Sequence, residues 1–272
     1  MSNPLITARD AFAVQYPEQR IPVNGREWGV LSLGGSGPAL VLLPGTLGRG
    51  DIFWQQVEAL KDRARVLALT YPVDGSLDDW CGDICALMTA SGMERATVLG
   101  SSLGGYIAQY LAATRPERVA QLVAANTLHS AAMVAQFPPY DSDLDAVPAA
   151  ALVQGVIGSM EAWAGEEPEQ AEVADFLTAE ITKRIGGEEL RARLKALKHA
   201  PELPGVSLPR SRVFTVESGD DRLIPPPVRD AVRGRLDPVE AVAYDTGSHF
   251  PYLVHAADYT EMLAGILEKD AI

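Results

Sequence analysis

The segment Ala39-Leu40-Val41-Leu42-Leu43 carries no polar side chain on either face and is halted by Pro44-Gly45. A strand sends successive side chains to opposite sides, so a strand of this composition must be buried twice over. A mostly parallel sheet with helices packed on both faces provides that environment. Further strands are expected at residues 65–69, 97–99, 119–124, 212–216 and 239–244, with an early strand and turn over 26–38. The intervening stretches have helical spacing. Ile52, Val57 and Leu60 follow Asp51, a candidate cap. Trp80, Ile84, Leu87 and Met88 follow Ser76 and Asp79, spaced as a capping box. Residues 257–267 predict a closing helix. The alternation predicts an α/β fold.

Residues 127–209 differ in character. They show helical spacing at Val173, Phe176, Leu177 and Ile181, and again at Leu190, Leu194 and Leu197, but no buried strand. An all-helical stretch between two strands is expected to form a cap over the carboxyl edge of the sheet, where such sheets bind ligands. The organisation expected is a core from residues 1–126 and 210–272, with the cap inserted before the penultimate strand. A chain of 272 residues accommodates this.

The charge balance excludes several functions. With 23 Lys and Arg against 36 Asp and Glu, the net charge is −13. No basic footprint for nucleic acid or for an anionic membrane surface is expected. No apolar run approaches the roughly 18 residues of a membrane span. Residues 1–10 lack the charged and apolar regions of a signal peptide. Cys81 and Cys85, four apart on one predicted helix, read as reduced thiols rather than a disulfide or metal pair, which points to the cytoplasm.

Gly100-Ser101-Ser102-Leu103-Gly104 fits G-x-S-x-G, with a strand before it and a helix after it. That context gives a strained turn which exposes a serine hydroxyl at the top of the sheet, with Ser102 as nucleophile. A serine needs a base. Of His129, His199, His249 and His255, only His249 lies in a loop after the last strand, at the same sheet edge. The acid that orients it is expected after the penultimate strand, where Asp220 and Asp221 compete. Asp221 is preferred because it precedes Arg222-Leu223-Ile224-Pro225. The oxyanion of a tetrahedral intermediate needs two backbone donors, expected from Leu103 and from Thr46 in Pro44-Gly45-Thr46-Leu47-Gly48. No metal or organic cofactor is called for.

Taken together, elbow, Pro-Gly turn, Asp loop and His loop resemble the α/β-hydrolase superfamily across nearly the whole chain outside the cap. Leu42 to Thr46, Arg65 to Val73, Gly100 to Gln109 and His249-Phe250-Pro251-Tyr252-Leu253 are similar to the maspardin-like branch. That resemblance implies a Ser-Asp-His triad and a small-molecule substrate, and homodimers are common among such proteins, although nothing here demands one. Two departures stand out. Pro44 replaces the superfamily's usual His before Gly45, and His249 stands where maspardin, regarded as a binding protein, has Asn.

Two classes of function follow. One is a serine hydrolase acting on a carboxylic ester, lactone or thioester of a small to medium, largely apolar substrate. The other is a non-catalytic binding protein that keeps the elbow. A lyase, C–C hydrolase or perhydrolase would use the same triad. In the cap, His129, Met133, Phe137, Tyr140, Met160 and Trp163 are candidates to line an apolar pocket. Residues 161–182 carry seven acids and no Lys or Arg, expected as a solvated face.

Overall fold

The computed structural model describes residues 3–270. The first half of the chain forms α1 (Pro4–Gln15), β1 (Gln19–Val23), β2 (Arg26–Leu33), β3 (Ala39–Leu43), α2 (Trp54–Leu60), β4 (Arg65–Thr70), α3 (Leu77–Ala90), β5 (Ala96–Ser101), α4 (Leu103–Thr114) and β6 (Val119–Ala125). Then come α5 (Ala149–Glu166), α6 (Ala171–Glu180), α7 (Gly186–Lys198), β7 (Val213–Ser218), α8 (Pro226–Leu236), β8 (Glu240–Tyr244), α9 (Pro251–Val254) and α10 (Ala256–Asp270). The eight strands lie in the order β1-β2-β4-β3-β5-β6-β7-β8. β1 and β2 run antiparallel to their neighbours and all other pairs are parallel.

Period-two burial divides the strands between two cores. Val41 and Leu43 of β3, Leu67 and Leu69 of β4, Val98 of β5 and Leu122 of β6 face one layer, built with α3, α4 and α8. Leu40, Leu42, Val66, Ala68, Leu99 and Val123 face the other, built with α1, α2 and α10. Every residue of β3, β5 and β6 is buried, as strands enclosed on both faces require.

The start signals are met unevenly. Ser76 and Asp79 form the capping box of α3. Asp51 does not cap α2: it sits in the short 3₁₀ turn Gly50–Phe53, and its carboxylate receives the Arg184 guanidinium at 2.9 and 2.5 Å instead. Two elements before β2 escaped the periodicity. One is α1, which buries only Arg9 and Phe12. The other is β1, joined to β2 by the left-handed pair Asn24 and Gly25. Asp83 of α3 anchors this hairpin by accepting bonds from Arg26 Nε at 2.6 Å, Trp28 Nε1 at 2.9 Å and Asn24 Nδ2 at 2.7 Å.

Between β6 and β7 the chain runs through α5, α6, a π-helical turn at Ile181–Ile185 and α7. These helices share a small apolar core of Leu144, Leu152, Ile181, Ile185, Leu190 and Leu194. Buried charge ties them to the rest. Arg9 of α1 pairs with Glu180, and Arg184 pairs with Asp51. Asn3 donates to the Glu172 carbonyl at 2.8 Å and to Asp175 at 2.9 Å. The acidic stretch is thus only partly a solvated face, because Glu180 is fully buried. An unpaired carboxylate there would be strongly disfavoured, and two arginines offset that cost.

Candidate active site

Ser102 joins β5 to α4 with φ 55° and ψ −117°, a conformation that L-residues rarely adopt. Such strain costs on the order of 1–3 kcal/mol and survives only where its surroundings impose it. Here the Ser102 N–H donates to the Ala125 carbonyl at 3.0 Å and Thr127 Oγ1 donates to the Ser102 carbonyl at 2.7 Å. The turn is too tight for side chains at its glycines. A Cβ on Gly100 would strike the Gly104 backbone, and one on Gly104 would strike the Leu43 carbonyl.

Both competing aspartates engage the His249 loop, in different ways. Asp221 Oδ2 lies 2.8 Å from His249 Nδ1. It also accepts from Asn126 Nδ2 at 2.9 Å, and Asp221 Oδ1 accepts the N–H groups of Leu223 and Ile224 at 2.9 and 3.1 Å. Burial alone would raise this carboxyl. His249, Asn126 and the Ile224 N–H outweigh burial and hold it below the usual carboxylate range. Asp220 accepts the backbone N–H groups of Ser248 at 2.8 Å and Gly247 at 3.2 Å. Those two residues have positive φ, 50° and 124°. With Nδ1 engaged, Nε2 is the ring nitrogen left for proton transfer.

The turn Pro44-Gly45-Thr46-Leu47-Gly48 lies beside Ser102: a Cβ on Gly45 would be 3.1 Å from Ser102 Cβ. Leu103, the first residue of α4, holds one of the N–H groups for which a helix has no internal partner. The Pro44 carbonyl accepts from Tyr71 Oη at 2.8 Å, and Gly48 N–H closes onto the Gly45 carbonyl at 3.1 Å. Fully buried Arg193 of α7 donates to the Thr46 and Gly48 carbonyls at 3.0 and 2.7 Å. Burial pushes its guanidinium down to about 10, Glu189 opposing, so it remains cationic at neutral pH.

Ser102, His249, Gly45 and Thr46 line one cavity of about 610 Å³, roofed by α5 and α7 through Ala151, Leu152, Gly155, Met160, Leu190 and Leu194. Its walls are predominantly apolar. Of the six cap residues expected to line a pocket, Tyr140 and Met160 do so. Tyr140, whose hydroxyl is pushed up to about 12 by its apolar surroundings, reaches the Thr46 side chain. The other four lie elsewhere. Phe137 is 65% exposed, and Met133 packs against the core layer built with α3, α4 and α8. Trp163 packs on Phe250 and donates to Glu167 at 2.9 Å. His129 lies outside the lining, its Nδ1 buried without a partner and its basicity lowered by burial and by Arg235. Each was picked on residue type alone, whereas the cavity is shaped by how α5 and α7 lie across the sheet.

Asn126, Tyr71, Thr127 and Arg193 were not singled out by sequence. Only Asn126 carried a signal, being a residue that tolerates left-handed backbone placed directly after a buried strand; its φ is 41°.

Residues 38–256 match the family model for the alpha/beta hydrolase fold. Maspardin from Danio rerio is 26% identical over 255 residues, covering 91% of this chain and 81% of that protein. The crystal structure of the enol-lactonase from Burkholderia xenovorans superposes with a TM-score of 0.71 at 21% identity, covering 92% of this chain and 100% of that one. A hydrolase from Pseudomonas aeruginosa superposes with a TM-score of 0.72 at 18% identity, covering 92% and 98%.

Proposed function

The chain belongs to the alpha/beta hydrolase fold family, and on that footing we propose that it is a serine hydrolase acting on a carboxylic ester, lactone or thioester with a largely apolar acyl group. The observation that carries this reading is the 2.8 Å contact between Asp221 and His249, with His249 and Ser102 on the wall of the same apolar cavity.

In this mechanism Ser102 Oγ attacks the substrate carbonyl carbon and its proton passes to His249 Nε2. Asp221 fixes the tautomer through Nδ1–H and stabilises the imidazolium. The N–H groups of Leu103 and Thr46 receive the oxyanion. Collapse of the tetrahedral intermediate expels the alcohol or thiol, which takes the proton from His249. Water, deprotonated by the same ring, then attacks the acyl-enzyme and releases the acid and free Ser102. The apolar walls exclude competing water and bind the acyl chain.

Fluorophosphonate labelling with parallel hydrolysis of p-nitrophenyl acetate and butyrate tests the reading. Labelling and turnover lost in both Ser102→Ala and His249→Ala support it. The similarity to maspardin favours a second reading, a binding protein that retains the elbow. A folded wild type that neither labels nor turns over would remove the main support of the first reading and make the second the one to test.

A further inference from the structure

A backbone turn can stabilise an oxyanion only if its N–H groups, not its carbonyls, face the substrate. In a trans peptide the C=O of one residue and the N–H of the next point in opposite directions. Fixing a carbonyl therefore fixes the following N–H. In the turn after β3, Tyr71 holds the Pro44 carbonyl, and Gly48 N–H holds that of Gly45 and so fixes the Thr46 N–H; Arg193 holds the Thr46 and Gly48 carbonyls, which belong to the peptides on either side of the one that carries the Gly48 N–H. The Arg193 guanidinium lies over the Tyr71 ring, 5.7 Å from its centroid, so these two donors are neighbours. Arg193 Nη2 is in turn paired with Glu189 at 3.3 Å.

Arg193 belongs to α7, a cap helix, and the turn belongs to the core. We propose that Arg193 is a positioning residue for the oxyanion turn, a buried cation by which the cap holds the Thr46 and Gly48 carbonyls away from the reacting centre. The inference rests on the hydrolase reading above. It makes the cap part of the catalytic apparatus, rather than only a roof over the substrate. Without the guanidinium, two partially negative carbonyl oxygens lose their donor beside a site where negative charge develops. Any rotation of the turn would exchange a stabilising N–H for a repelling oxygen.

The test compares Arg193→Met and Arg193→Lys with Arg184→Gln. The last cuts a different cap–core tie, to Asp51, and touches no carbonyl of this turn. We expect kcat to fall about 10- to 100-fold in Arg193→Met, less than the roughly 10²- to 10³-fold loss when an oxyanion donor is removed outright, because the donor is displaced and not deleted. KM should stay within about threefold, because the loss is confined to the transition state. Inhibition by an alkyl trifluoromethyl ketone, which forms the tetrahedral adduct, should weaken by the same factor as kcat. Arg193→Lys, keeping one cationic donor, should recover part of both. Amide exchange of the peptide spanning residues 44–48 should accelerate in both Arg193 variants and not in Arg184→Gln. Folded Arg193 variants with wild-type kcat, ketone affinity and exchange would overturn the inference and leave the hydrolase reading standing. Wild type without turnover or labelling would remove that reading, and the inference with it.

Discussion

Asp220 and Asp221, adjacent in the chain, grip one loop at two points: Asp220 takes the backbone N–H groups of Gly247 and Ser248, and Asp221 takes the side chain of His249. One carboxylate sets where the loop lies and the other sets which way its imidazole faces.

The two should therefore fail differently. Asp221→Asn should lower kcat by about 10⁴-fold, the cost of the wrong imidazole tautomer. Asp220→Ala should displace the loop and lower kcat by about 10- to 100-fold. Steady-state hydrolysis of p-nitrophenyl butyrate separates them, and equal losses would refute the division of labour.

Ser102→Gly should abolish labelling and yet raise thermal stability. Glycine adopts positive φ without the Cβ penalty that Ser102 bears, and relief of about 1 kcal/mol corresponds to roughly 2–4 °C in Tm. Ser102→Ala keeps the Cβ and should show no such gain. Calorimetry on both variants decides the matter.

Asp83 should contribute stability with a definite pH dependence. Burial would raise its carboxyl, but Arg26, Trp28 and Asn24 hold it below its ordinary value. A carboxyl lowered by folding stabilises fully above the unfolded value of about 4 and loses that contribution as pH falls through the folded one. Asp83→Asn should cost about 3 kcal/mol at pH 7, by leaving the largely buried Arg26 guanidinium without its carboxylate. Urea unfolding at pH 3 should show a smaller deficit, and an undiminished one would refute the charge argument.

Gly155 of α5 lines the cavity, and a Cβ there meets nothing within 4 Å. Gly155→Leu should fill that space and gain about 0.8–1 kcal/mol of helix propensity. Turnover of p-nitrophenyl octanoate should fall at least about 10-fold relative to acetate, each excluded methylene costing on the order of 1 kcal/mol. An unchanged chain-length profile would place the acyl group elsewhere in the cavity.

What the sequence displayed was whatever local chemistry decides. β3 could be read because five consecutive apolar residues leave no exposed face, and Ser102 because glycines flank it between a strand and a helix. α1 was opaque. Its buried residues are one Arg and one Phe, and Arg9 is buried only because Glu180 lies opposite it. Arg193 was opaque for the same reason: nothing near it marks one arginine of an amphipathic helix as the partner of a turn beside β3. The cavity lining was half-legible at best, since Gly155 and Leu194 face it through helix placement rather than residue type.

The clasp between α1 and α6 also imposes an order of events in time. Asn3 and the Glu172 carbonyl that receives it are separated by 169 residues. At about 5–20 residues per second, a ribosome needs roughly 10–30 s to cover that distance. The helix is made well before α6 and seated late, and until α6 emerges Arg9 has only the neighbouring Asp10 carboxylate to meet and the helix holds nothing shut.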